Sequence, residues 1–322
     1  MYHSTIRFMQ AVALGSALLL STAPAKADAP VVVASIKPLH ALAASIMRDV
    51  GSPVLLIEGA SSPHGASLKP SAARNLSRAK AVFWVGPALE AFLEKPLSTL
   101  AQGTEARPLI EAEGVVTLPF REHHDEHDQK HEHEKENEHK HEHEHEHEHA
   151  GEIDPHIWLN PDNAIAMGNA MAATLSKVDP NNAETYKKNA ERLAFTLKSL
   201  GNELEARLRV VRDKPYLVAH DSFQYFEKRF GLSGEGVLSI NPEVAPSVKR
   251  ISEARHEIEH EGVVCVFREP QMPRKIVDAV IEGTQARMGT LDPIGQGLEP
   301  GPDAYIELMR ANALSMITCL KG

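Results

Sequence analysis

The chain has 322 residues, 42% hydrophobic and 24% charged, and its 34 basic and 44 acidic side chains give a formal charge of −10. That balance argues against a nucleic-acid binder, which needs a basic surface. The length and apolar content are those of a chain able to bury cores in two domains of ordinary size.

At the start, Arg7 precedes an apolar run from Phe8 to Leu20, followed by Ser21-Thr22-Ala23-Pro24 and the small-residue stretch Ala25-Lys26-Ala27. This order predicts a secretory signal peptide over residues 1–27, with Asp28 the first mature residue. A membrane anchor is the competing reading, but the run falls short of the roughly 20 apolar residues of a span. No Cys near the cleavage site offers a point for a lipid. An exported, unanchored chain of the periplasm is therefore expected, and its mature part carries 32 basic against 44 acidic side chains, a charge of −12.

The mature sequence opens with short apolar strands alternating with helices. Strands are predicted at 31–35, 53–57 and 81–85, and helices at 37–50, 70–80 and 88–102, with Pro70 at an opening position. Such alternation points to a mostly parallel α/β sheet. Residues 121–149 break it. They hold eleven histidines, namely His123, His124, His127, His131, His133, His139, His141, His143, His145, His147 and His149, among Glu, Asp and Lys. With almost no apolar residue, this tract has too little surface to bury and is expected to be a disordered loop.

Order is expected to resume at Ile153, with a helix at 162–177 and a longer one from Pro180 to about Arg212. In the second helix Tyr186, Ala190, Leu193, Leu197, Leu200, Leu204, Leu208 and Val211 recur at steps of three and four, marking one apolar face. About 30 residues at about 1.5 Å each span about 45 Å, enough to cross a two-domain protein. A second α/β unit follows, with strands at 216–220, 236–239, 263–268 and 288–291 and helices at 222–230, 247–261, 273–287 and 302–320. The predicted architecture is two α/β lobes with mostly parallel sheets, 28–178 and 213–322, joined by one long rigid helix at 179–212.

The two cysteines, Cys265 and Cys319, both fall in the second lobe. In an oxidising compartment an isolated pair is a disulfide candidate; two zinc thiolates are the alternative. Three single histidines lie where open α/β sheets bind ligands, beyond strand C-termini: His64, His156, and His220 at the end of its strand. Asp292, in Gly289-Thr290-Leu291-Asp292-Pro293, holds a fourth such position. Spacing this wide leaves each of them open as a ligand or as a surface or capping residue. His40, His256 and His260 fall on predicted helices with nothing nearby to complete a site.

Several stretches together are specific. They include Pro63-His64 with Ser67-Leu68-Lys69-Pro70-Ser71, Trp84-Val85-Gly86-Pro87-Ala88-Leu89-Glu90, Asp154-Pro155-His156-Ile157-Trp158-Leu159 and His220-Asp221-Ser222-Phe223 with Tyr225-Phe226. Cys265-Val266-Phe267 with Glu269-Pro270-Gln271, the run Arg287 to Pro293, and the terminal Cys319-Leu320-Lys321-Gly322 continue the pattern. Spread over nearly the whole mature chain, they resemble the metal-binding cluster of ABC-importer binding proteins, specifically its ZnuA-like zinc branch, in which an acidic His-rich insertion is also typical. The resemblance implies a carrier rather than an enzyme. It implies Zn²⁺ held by His64, His156 and His220, a Cys265–Cys319 disulfide, a rigid linking helix, and a membrane permease as partner of a monomer. Manganese-selective relatives put a carboxylate where His220 stands.

One departure from the pattern is Pro63, where some zinc-branch members have Glu. The fourth position on the metal is then expected to be water, with Asp292 the protein candidate; Asp292 otherwise accepts a hydrogen bond from behind a ligand or forms a turn. The eleven tract histidines are expected to be weaker, auxiliary ligands, because the segment must be ordered each time it binds. The competing functions are a periplasmic zinc hydrolase, a manganese or iron carrier, and an adhesin or extracellular metal chaperone. For the first of these, His256-Glu257-Ile258-Glu259-His260 on the predicted helix 247–261 has the His-Glu-x-x-His spacing, but nothing nearby completes a site.

Overall fold

The computed structural model of the chain describes residues 29–59, 62–121, 153–239 and 245–322. The expected signal peptide and the histidine tract lie outside these residues, apart from Arg121 at the edge of the tract.

The first lobe begins with β1 (Val32–Ala34), α1 (Lys37–Ile46), β2 (Val54–Leu55), α2 (Pro70–Arg78) and β3 (Ala81–Phe83). The strands pair in parallel in the order β2-β1-β3. β1 and β3 are apolar and buried at every residue, as strands of a parallel sheet covered on both faces must be. α3 (Pro87–Glu90) and α4 (Glu94–Thr99) follow, separated by a 3-10 turn at Ala91–Leu93. A single helix over 88–102 is predicted from the sequence. Pro96 explains the break, since it has no N–H to donate back to the turn before it and is tolerated only near a helix start.

α5 (Pro161–Val178) is capped by the Asn160 side chain, which accepts from the Asp162 amide. α6 (Ala183–Leu208) is the long helix, with 26 residues and a one-sided stripe of buried side chains from Tyr186 to Leu208. It packs on α5 and α1 of the first lobe and on elements of the second. The second lobe comprises β4 (Tyr216–His220), α7 (Gln224–Phe230), β5 (Gly234–Ser239), α8 (Val248–His260), β6 (Cys265–Arg268), α9 (Arg274–Ile281), β7 (Arg287–Thr290) and α10 (Ala304–Lys321). Its sheet is parallel throughout, in the order β5-β4-β6-β7. α9 stops short of the predicted Arg287, and Gly283, at φ 82°, lies in the turn that follows it. A left-handed residue there turns the chain out of the helix at little cost only as glycine.

The α/β architecture and the linking helix thus match the expectation. One continuous core runs from the first sheet along α5 and α6 into the second sheet and α10. Two smaller clusters fill the outer faces, one between the first sheet and α2 and one between the second sheet, α8 and α9. A sulfur bridge joins Cys265, the first residue of β6, to Cys319 near the end of α10.

Candidate metal centre

Both parallel sheets end at one cleft. His64 lies in the segment after β2, His156 directly before the 3-10 turn Ile157–Leu159 that leads into α5, and His220 is the last residue of β4. One nitrogen from each ring lies within 4.8 Å of the other two. The ring centroids are 5.3, 5.3 and 5.0 Å apart. Ser62, Pro63, Trp158, Glu269, Gln271, Pro293 and Ile294 complete the walls.

Two of the rings are fixed by carboxylates. His156 Nδ1 lies 2.7 Å from Asp154 Oδ1, which also accepts the His156 backbone amide at 2.9 Å. His220 Nδ1 lies 2.8 Å from Glu269 Oε1, which also accepts from Ser222 Oγ at 2.7 Å, while the Gln271 amide donates to Oε2. An ionised carboxylate accepts only, so with Asp154 and Glu269 ionised each Nδ1 carries the proton and each Nε2 presents its lone pair to the cleft. His220 Nε2 is buried without a protein partner. His156 Nε2 faces His64 Nε2 at 3.3 Å. A tetrahedral zinc with Zn–N of about 2.05 Å needs ligand nitrogens about 3.3 Å apart, so this pair already spans one edge of such a shell. Three neutral imidazoles suit zinc and leave a fourth position, whereas a harder ion asks for oxygen.

Burial and the two neighbouring rings push His64 down to about 2, and burial holds His156 well below the usual histidine range. Burial opposes the charge on Glu269, but the His220 ring and the donated hydrogen bonds hold it below its ordinary value. Burial pushes Asp154 up to about 7, against its hydrogen bonds from His156 and Gln224. The lone pairs of His64 and His156 are therefore free of protons at neutral pH. Proton and metal compete for the same lone pair, so acid releases the metal, and the depressed ring values move that release below the ordinary histidine pKa of about 6.5. Bound zinc is expected to be retained through about pH 6.5 and lost only in stronger acid. Zinc counted on protein recovered from a pH series checks this; release centred at about pH 6.5 contradicts it.

Asp292 takes the turn-forming role. Its Oδ1 accepts the amides of Ile294 and Gly295 at 3.1 and 2.8 Å, and Oδ2 accepts that of Gln296 at 2.6 Å. Its carboxylate is not among the clustered ligand atoms. Pro63 lines the cleft with no side-chain donor. Asp154 and Glu269, in contrast, hold the rings of His156 and His220, and sequence reasoning gave neither a role. Asp154 stands two residues before its histidine, a spacing that offered a local signal. Glu269 reaches His220 from the end of β6, and only the sheet order brings them together.

Beside His220, Arg121 pairs with Asp221 at 3.1 Å and also contacts Glu227, both largely buried. Burial raises the pKa of both acids, with Arg121 opposing the rise.

The family described as zinc-uptake complex component A, periplasmic (ZnuA), matches residues 32–319. The chain belongs to the ZnuA family. It is 46% identical over 304 residues to the high-affinity zinc uptake system protein ZnuA of Brucella abortus, covering 90% of this chain and 91% of that one. The ZnuA of Paracoccus denitrificans is 39% identical over 324 residues, 96% of each chain. The crystal structure described as ZnuA superposes with a TM-score of 0.74 over 91% of this chain and 100% of that one, at 22% identity. That likeness is one of fold.

Proposed function

We propose that this protein is the periplasmic zinc-binding component of a zinc ABC importer, capturing Zn²⁺ between its lobes and passing it to a membrane permease. His64, His156 and His220 are the ligands in this reading, with water in the fourth place. The observation that carries it is the orientation of His156 and His220, whose Nδ1 atoms face Asp154 and Glu269 so that the opposite nitrogens meet in one cleft with His64. The same contacts favour a carrier over a hydrolase. Both carboxylates nearest the cluster are engaged in orienting rings, which is the task of an outer shell and not of a general base. Residues 28–178 and 213–322 serve as the lobes, 179–212 as the link, and a single copy as the working unit. The eleven histidines of the tract are an auxiliary, weaker store.

Metal competition on the full chain tests the reading, with a chelator setting free metal. One tight zinc per chain is expected, together with weaker ions, and manganese is expected to leave the tight zinc in place even at about a thousandfold excess. Manganese displacing the tight zinc at equal concentration would assign the chain to the other metal.

A further inference from the structure

Lys37 is the first residue of α1, and only 9% of its surface is exposed. Local physics disfavours it there. A cation at a helix N-terminus meets the positive end of the helix dipole, and no acidic side chain occupies the first turn to offset it. A buried ammonium also needs all three of its donors satisfied. The second lobe supplies the acceptors, for Lys37 Nζ donates to the carbonyls of Gly295, Gln296 and Leu298 at 2.6, 2.9 and 2.7 Å.

Those carbonyls belong to the turn that Asp292 organises. The amides of Ile294, Gly295 and Gln296 point to the Asp292 carboxylate, and the carbonyls of Gly295, Gln296 and Leu298 point to Lys37. The peptide groups are thus strung between an anion of their own lobe and a cation of the other. Gly295 makes the turn at φ 68°, where a Cβ would also meet Leu298 at 3.1 Å. The start of this segment is the cleft wall formed by Pro293 and Ile294, and Trp158 of the first lobe donates to the Pro293 carbonyl at 2.7 Å.

We propose that Lys37 is a positioning residue for the metal centre: its ammonium fastens the 292–298 wall of the second lobe to the first, and so keeps His220 within reach of His64 and His156 and slows zinc release. Lys37 touches no ligand ring; it acts by restraining separation of the lobes. This rests on the three-histidine reading for its zinc arm alone.

The test uses the full chain with Lys37→Met, which keeps the stem and removes the ammonium. Zinc dissociation into excess chelator is expected to speed up about tenfold, the scale on which supporting partners of metal ligands act, with the association rate and one tight zinc per chain retained. Hydrogen exchange at the 294–298 amides of the metal-free protein should accelerate. Ser45→Ala removes another bond from α1 to the second lobe, at the Pro302 carbonyl outside the cleft wall, and is expected to leave both readings at parental values. Lys37→Arg keeps the charge, but a planar guanidinium does not cap three converging carbonyls; it should give an intermediate rate and serves if the methionine variant folds poorly. Parental dissociation and parental exchange in Lys37→Met overturn the proposal, as does an equal acceleration in Ser45→Ala. If the parent held no tight zinc, the three-histidine reading would fail, and exchange in metal-free protein would still decide the role of Lys37.

Discussion

Alanine in place of any one of His64, His156 or His220 is expected to weaken the tight zinc by about 100- to 1000-fold. Structural zinc sites with four ligands bind with about 10–16 kcal/mol, or about 2.5–4 kcal/mol for each ligand, and about 1.4 kcal/mol is a factor of ten. Two remaining imidazoles keep too few donors for a closed shell. His220→Ala carries a further cost, because Glu269 is buried and loses the ring facing it. His40→Ala is the matched control. That ring is buried on α1 with Nε2 at the Pro53 carbonyl, and no bond links it to the cleft. Its loss is expected to lower stability and leave zinc affinity unchanged. Calorimetric titration of the four variants checks both statements; parental binding in all three cleft variants would place the site elsewhere.

Breaking the Cys265–Cys319 bridge is expected to lower stability by about 4 kcal/mol on the chain-entropy account of a loop this long, with a separation of 54 residues. For a chain of this size that corresponds to a fall in Tm of roughly 6–7 °C. Zinc affinity should stay within about twofold, because the bridge and His220 sit at opposite ends of the sheet. Cys265 is in register with Tyr216 at the start of β4, and His220 ends that strand, about 13 Å away at about 3.3 Å per residue. Thermal unfolding of a Cys265→Ser, Cys319→Ser double variant measures the first effect and zinc titration the second. A matching loss of affinity would mean that the strand ends are not independent of the bridge.

The sequence made the two sheets legible because their strands are short, apolar and regularly spaced, and α6 legible because its stripe holds over many turns. The three histidines were visible as residues beyond strand ends. What joins them was visible only where the partner is local. Asp154 is two residues from His156, but Glu269 is 49 residues from His220 and meets it through sheet order. Lys37 gave no signal, since a lysine at the start of a predicted helix reads as solvated surface; three carbonyls from residues 295–298 bury it. Asp292 was visible as a strand-end acid, and its role depends on which way the next four residues turn. Pro96 lies inside the predicted helix 88–102 and is the local residue type that breaks it.

The edges of the histidine tract are stitched together. Pro119 and Ile153 form an isolated antiparallel bridge, the Asp154 amide donates to the Leu118 carbonyl at 2.9 Å, and Tyr225 Oη accepts from the Leu118 amide and donates to the Asp154 carbonyl. Whatever lies between therefore leaves and re-enters the fold at one point. With the two ends held together, the entropy of closing a loop between them grows by only about 0.6 kcal/mol for each doubling of its length. Changes of length between residues 122 and 152 are therefore expected to leave the described fold and the cleft in place, provided that Arg121 keeps its pairing with Asp221 and Glu227.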